Sequence, residues 1–427
     1  MWRTMVGSPL LIAEKARNRL QSVIASVREG RPANLNVIRL PNPADVVVTP
    51  CEVNELHGTG TLLLRIFRDS SSIVSLRTSN FYDLPQSFGA ANFCLPLAQA
   101  SRSEVLSWVK WWLNTTSVRR VICLPYLPAD PIVGITVKEL FNVPLCTYIM
   151  DDKNVCTNGI PDSLMEELLA KSDLRLVISP EMREAYEKKY RLKFYLLPPL
   201  VSDELLSRTP LHHLNGAKPR RCVLIGNIWG QRWLDLLRNT FRNSGYQVDW
   251  YCNQKNPRAL SFDRADLEKD GIRLLDPIPE GDLPAILSQY ACAIVPSDTL
   301  DGKSPPSVQA IAELSLPSRI PFMLATSHLP IVVLGHPETS AARFVDRFKF
   351  GAVVPYDADA VRTALERLAE PEIQSVIRSR AAALSATFSA RGSADWIWRS
   401  LEAGEACDLT YEKLMPPWQA ETYSGGN

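Results

Sequence analysis

At 427 residues the chain is too long for one ordinary hydrophobic core, so two domains are the expectation. Its 46% hydrophobic and 22% charged residues, with a net charge of +1, describe a soluble globular protein and argue against a nucleic-acid partner. No run of roughly eighteen apolar residues is present to span a bilayer, and the N-terminus carries no secretory pattern, so the expected setting is cytoplasmic.

Nine cysteines are scattered without a CxxC or a Cys-His cluster, and they read as reduced core residues rather than disulfides or metal ligands. Residues 1–36 stand apart from the rest. Leu10, Ala13, Ala16, Leu20, Ile24 and Val27 recur at helical spacing within 9–29, and residues 1–36 as a whole carry six basic and two acidic side chains. The expectation is an amphipathic helix packed on its own domain, with peripheral contact to an anionic inner-membrane face as the alternative.

From residue 37 strands and helices alternate. Strands are expected at 37–40, 46–49, 73–77, 120–124, 144–150, 174–179 and 194–197, with helices at 62–68, 103–113, 132–141, 163–171 and 180–190. Ser163 to Glu166 has the capping-box form, and Ser179-Pro180 supplies a cap and a first-turn proline. The pattern pauses at Pro198-Pro199 and through the polar stretch 202–221, as a linker does. It restarts with strands at 222–225, 247–251, 272–275 and 291–295, helices at 231–241 and 282–290, and further helices at 339–348, 358–368, 371–387 and 393–402 around a short strand at 353–354. The fold class is therefore α/β, with two Rossmann-like domains and a cleft between them. The expected division is an N-terminal helix (1–36), a first domain (37–205), a second domain (206–395) and a C-terminal helix and tail (396–427).

Four turns could carry chemistry. His57-Gly58-Thr59-Gly60-Thr61 lies between a strand and a helix, where Gly58 and Gly60 let backbone amides approach a ligand. His57 there could orient a hydroxyl, lend a proton, or cap the turn. Asp151 and Asp152 end an apolar strand, so they could bind a hydroxyl, take a proton or, least in keeping with their surroundings, hold a divalent ion; the alternative is a solvated Asx turn. Gly226-Asn227-Ile228-Trp229-Gly230-Gln231-Arg232 runs from strand to helix, with Trp229 placed to stack or to pack and Arg232 able to grip a phosphate. Ser297 to Ser304 ends in Gly-Lys-Ser but lacks the opening glycine of a P-loop, and Pro305-Pro306 stand where its helix should run. It reads as a mobile loop from which Lys303 either closes over phosphates or remains solvated.

The stretch 316–334, LPSRIPFMLATSHLPIVVL, is the most organised. Ser318 is placed to cap a helix, Arg319 sets a cation beside its first-turn amides, and Pro330 opens a β-branched strand. This order of parts resembles the donor half of retaining GT-B glycosyltransferases of the family-four-like, polysaccharide-assembly subgroup. That resemblance covers 37–405 and implies a nucleotide diphosphate sugar as co-substrate, no other cofactor, and a glycan or lipid-linked acceptor. It implies that Arg232, Arg319 and Lys303 hold the diphosphate and that backbone near Ile278 holds the base. Gly226 matches the family's glycine, but Asn227 stands where the family has an arginine. The family's ribose-binding glutamate falls near Phe322 or Met323, neither of which accepts a hydrogen bond, and Glu313 lies too early to replace it. A homo-oligomer fits the resemblance. Two other readings remain: a catalytically silent GT-B-like binding protein, and a nucleotide-sugar epimerase of the same fold.

Overall fold

The computed structural model describes residues 40–82, 88–95, 97, 101–210, 220–252 and 260–415. The expected helix at 9–29 and most of the expected strand at 37–40 lie outside these residues. Continuous apolar runs such as VVV and IVVL suit strands covered on both faces, and they form two parallel sheets. The first contains β1 (Ala44–Thr49), β2 (Ile73–Arg77), β3 (Ala91–Cys94), β4 (Val118–Cys123), β5 (Leu145–Ile149), β6 (Leu174–Val177) and β7 (Tyr195–Leu196). Its spatial order is β3-β2-β1-β4-β5-β6-β7, with every pairing parallel. The second contains β8 (Arg221–Ile225), β9 (Gln247–Tyr251), β10 (Ile272–Leu275), β11 (Ala293–Pro296), β12 (Ile331–Leu334) and β13 (Gly351–Val354). It runs β10-β9-β8-β11-β12-β13, again all parallel.

Helices cover both sheets. The first domain carries α1 (Gly58–Phe67), α2 (Arg102–Leu113), α3 (Ala129–Phe141), α4 (Asp162–Lys171) and α5 (Pro180–Tyr190). The second carries α6 (Gln231–Arg242), α7 (Arg264–Lys269), α8 (Leu283–Leu287), α9 (Pro306–Leu314), α10 (Arg319–Thr326), α11 (Ser340–Arg347), α12 (Ala358–Leu368) and α13 (Pro371–Ser385). Strand order reverses between β1 and β4 and between β8 and β11, so each domain opens a crevice at those strand ends. No helix among the described residues is long and apolar enough to cross a membrane.

The chain passes between domains twice, and the two passages are bonded to each other. Val201 N–H donates to Phe388 O at 2.8 Å, and Ala390 N–H donates to Val201 O at 2.8 Å. After the second passage α14 (Ser393–Ala403) and α15 (Thr410–Leu414) return to the first domain. There the Arg120 guanidinium lies 4.0 Å from the Trp398 ring centroid, and Leu196 N–H donates to Glu412 at 3.0 Å.

Three local expectations change. Ser179 caps α5 through Met182 N–H at 3.0 Å, but the expected capping box at Ser163 is absent because α4 begins at Asp162 after Pro161. Pro306 does not break a helix; it occupies the first turn of α9, where its missing N–H costs nothing. Ser318 takes helical angles itself and places no hydroxyl on the first-turn amides of α10, so the expected cap is not made. β3, only four residues long, has no counterpart among the sequence expectations.

Candidate functional site

A cavity of about 600 Å³ lies between the two sheets, lined from both domains. His57, Gly58, Asp151, Gly226, Asn227, Trp229, Ile278, Ser318 and Arg319 all line it. Four other anticipated residues, Gly60, Asp152, Arg232 and Lys303, are not part of that lining.

On the first-domain side, the His57 ring is fully engaged within the turn after β1. His57 Nε2 lies 2.7 Å from the Glu52 carbonyl, which only accepts, so Nε2 carries the proton. Nδ1 then accepts from Gly60 N–H at 3.2 Å and caps α1. Burial holds the ring's pKa below the ordinary histidine value, against the opposing pull of Glu52, which keeps the imidazole neutral. With both nitrogens engaged, His57 has none left for a proton transfer; of the readings open to it, the structure shows the cap. Gly60 is a requirement of the same turn, since a Cβ there would lie 2.3 Å from Asn54 O. Gly58 faces the other domain closely: a Cβ there would lie 3.2 Å from Ser318 Oγ.

Asp151 and Asp152 point to different fates. Asp152 is buried and accepts from the amides of Asn154, Val155 and Cys156 at 3.1, 2.8 and 2.9 Å, and from Tyr186 Oη at 2.9 Å. It is the Asx turn that ends the strand, and not a member of a reactive pair. Asp151 faces the cleft beside Tyr126, whose hydroxyl shares a 2.6 Å bond with Thr59 Oγ1. Burial, together with the Asp151 charge, pushes the Tyr126 phenol well above its usual pKa, so it remains a donor. The buried Asp130 holds the Tyr126 and Leu127 amides at 2.9 and 2.7 Å and so fixes this loop. Among the described residues no group of three or more His, Cys, Asp or Glu side chains is placed to hold a metal.

The second-domain side differs. Gly226 leaves β8 with φ of 81°, a conformation that favours glycine, and Arg319 packs against it. Arg319 Nη1 donates to Ile225 O at 2.8 Å and Asn227 O at 3.0 Å. Its Nε and Nη2 are shielded from solvent and have no partner among the described residues; neither does Ser315 Oγ, also on the cleft wall. Burial lowers the Arg319 pKa to about 10, so it remains charged at neutral pH. A charged guanidinium with two unspent N–H groups and no carboxylate in contact is a place for an anion.

The other expected cations lie elsewhere. Arg232 donates to Thr299 Oγ1 and Asp301 Oδ2, both at 2.7 Å, which turns it into the 297–304 loop rather than the cleft. Lys303 is exposed, 3.6 Å from Asp301. Glu313 accepts from Gln309 at 2.7 Å within α9, and Phe322 lines the cleft near the position expected for the ribose-binding carboxylate. The sequence reading missed Arg65, Tyr126, Ser315 and Glu280, all on the cleft wall. Arg65 had a signal, a single charge inside the apolar run LLLRIF; the others had none before the chain was folded.

Solved structures share this architecture. Anabaena HepE, crystallised with UDP-glucose, aligns with a TM-score of 0.61 at 12% identity, over 84% of this chain and 99% of HepE. A Listeria monocytogenes protein assigned as a UDP-N-acetylglucosamine 2-epimerase aligns with a TM-score of 0.51 at 10% identity, over 85% of this chain and 96% of its own. Such identity speaks to fold alone, and the fold is the GT-B arrangement of two Rossmann-like domains facing across a cleft. No protein-family model matches the chain, and no curated protein matches it in sequence.

Proposed function

We propose that this chain is a glycosyltransferase that moves a sugar from a nucleoside diphosphate sugar to a glycan or lipid-linked acceptor in polysaccharide assembly. The observation that carries the reading is Arg319, a half-buried cation whose Nε and Nη2 are shielded from solvent and unpartnered, at the strand-order reversal of the second domain. Its partner would be the diphosphate, and it would stabilise the negative charge that grows there as the glycosidic bond breaks. The Ile278 segment lies on the same wall and would seat the base. HepE was crystallised with UDP-glucose, which makes uridine the base to try first. Across the cleft, Asp151 and the Tyr126 hydroxyl would orient the acceptor hydroxyl, at a distance from the diphosphate set by domain closure. Retention of anomeric configuration follows from the resemblance of 316–334. A cytoplasmic enzyme meeting lipid-linked acceptors at the inner membrane face fits the same reading.

The test is release of UDP from UDP-glucose with and without a panel of oligosaccharide acceptors. Acceptor-dependent release is expected. Conversion of the sugar without any acceptor would instead identify an epimerase, and absence of both binding and turnover with every nucleotide sugar would overturn the proposal.

A further inference from the structure

Arg65 of α1 is a buried arginine that the donor and acceptor roles leave unused. Its contacts reach three separate parts of the molecule. Nε donates to Glu280 Oε1 at 2.7 Å, and Nη2 pairs with the same oxygen. Nη1 donates to Leu200 O at 2.7 Å, beside the doubled interdomain passage at Val201. The guanidinium carbon lies 5.2 Å from the ring centroid of Phe322 in α10. The Glu280 amide in turn donates to Glu55 at 3.3 Å, a second bond between the domains at the same edge. Side-chain exposure is only 5% for Arg65 and 13% for Glu280, so the pair is largely out of water and separating it leaves each charge without a partner.

We propose that Arg65 and Glu280 form the closure latch of the cleft, a positioning pair that joins the first domain to the base-seating segment of the second. Glu280 is two residues beyond Ile278, so the contact that closes the domains is built on the segment assigned to the base. Arg65 also fixes the passage at Leu200, about which the domains must rotate. One guanidinium therefore holds hinge and lip together and sets the gap between Arg319 and Asp151. This proposal rests on the nucleotide-sugar reading for its link to catalysis, but not for its link to domain closure.

The experiment compares wild type, Arg65→Ala and Glu280→Gln by small-angle scattering, UDP titration and steady-state kinetics with UDP-glucose. Both variants should scatter as more open particles, with UDP or without. Because reacting groups would be displaced while the second-domain wall is kept, kcat should fall by about 100-fold while UDP affinity changes by less than about threefold. Glu280→Gln retains size and hydrogen bonding, so it reports on the latch even where Arg65→Ala folds poorly. Wild-type scattering and wild-type kcat in the glutamine variant would overturn the latch. A wild type that binds no UDP while Glu280→Gln opens would overturn the donor reading and leave the latch standing.

Discussion

On the first-domain side of the cleft, His57 spends both ring nitrogens inside its own turn, Asp152, outside the lining, spends its carboxylate on three amides and a phenol, and the Tyr126 hydroxyl is bonded to Thr59. On the second-domain wall, Arg319 and Ser315 keep donors that nothing in the described protein satisfies. Both walls contain glycine turns at strand ends and look alike as sequence. The difference separates architecture from binding: side chains satisfied within their own turn hold a helix in place, and a cation on the cleft wall with unspent donors waits for a ligand.

Variants in each wall can break that contrast. Arg319→Met, which keeps length and loses charge, should have the largest effect, a loss of about 100-fold or more in turnover with UDP-glucose. Asp151→Asn should follow with a loss of about 10- to 100-fold and unchanged UDP affinity, because it acts on the acceptor side. His57→Asn should keep the α1 cap and leave turnover within about threefold, since Asn is among the best capping residues. It should also change the acid sensitivity of folding. Burial lowers the His57 pKa in the folded state, so its contribution is complete above the ordinary histidine value of about 6.5 and declines as pH falls below it. Urea midpoints at pH 7.5 and 5.5 should therefore differ less in the variant than in wild type. Arg232→Ala should matter least: it removes a part-exposed pair with Asp301, about 0.2–1 kcal/mol by chemical denaturation, and leaves UDP affinity within about twofold.

The two-domain alternation was legible because parallel strands buried on both faces are continuous apolar runs, and the stretch around Ser318 and Arg319 was legible because proline, small polar and basic residues crowd one helix start. Spacing could not distinguish Arg319 from Arg232. Each stands at or near a helix start, and only the fold turns one toward Gly226 and the other toward Asp301. Asp151 and Asp152 are adjacent, so sequence pairs them; the strand end sends one into the cleft and the other into its own turn. Pro306 was read as a breaker because a proline interrupts a helix everywhere except its first turn, and the position of that turn is known only from the structure. Arg65 and Glu280 are 215 residues apart, a separation at which no local pattern records a contact.

Calorimetric titration of UDP into wild type, Arg319→Met and Arg232→Ala tests whether Arg319 is the anion's partner. Binding to wild type and to Arg232→Ala, with loss of binding to a folded Arg319→Met, is the predicted result. Equal affinity in all three proteins, or loss only in Arg232→Ala, would contradict it.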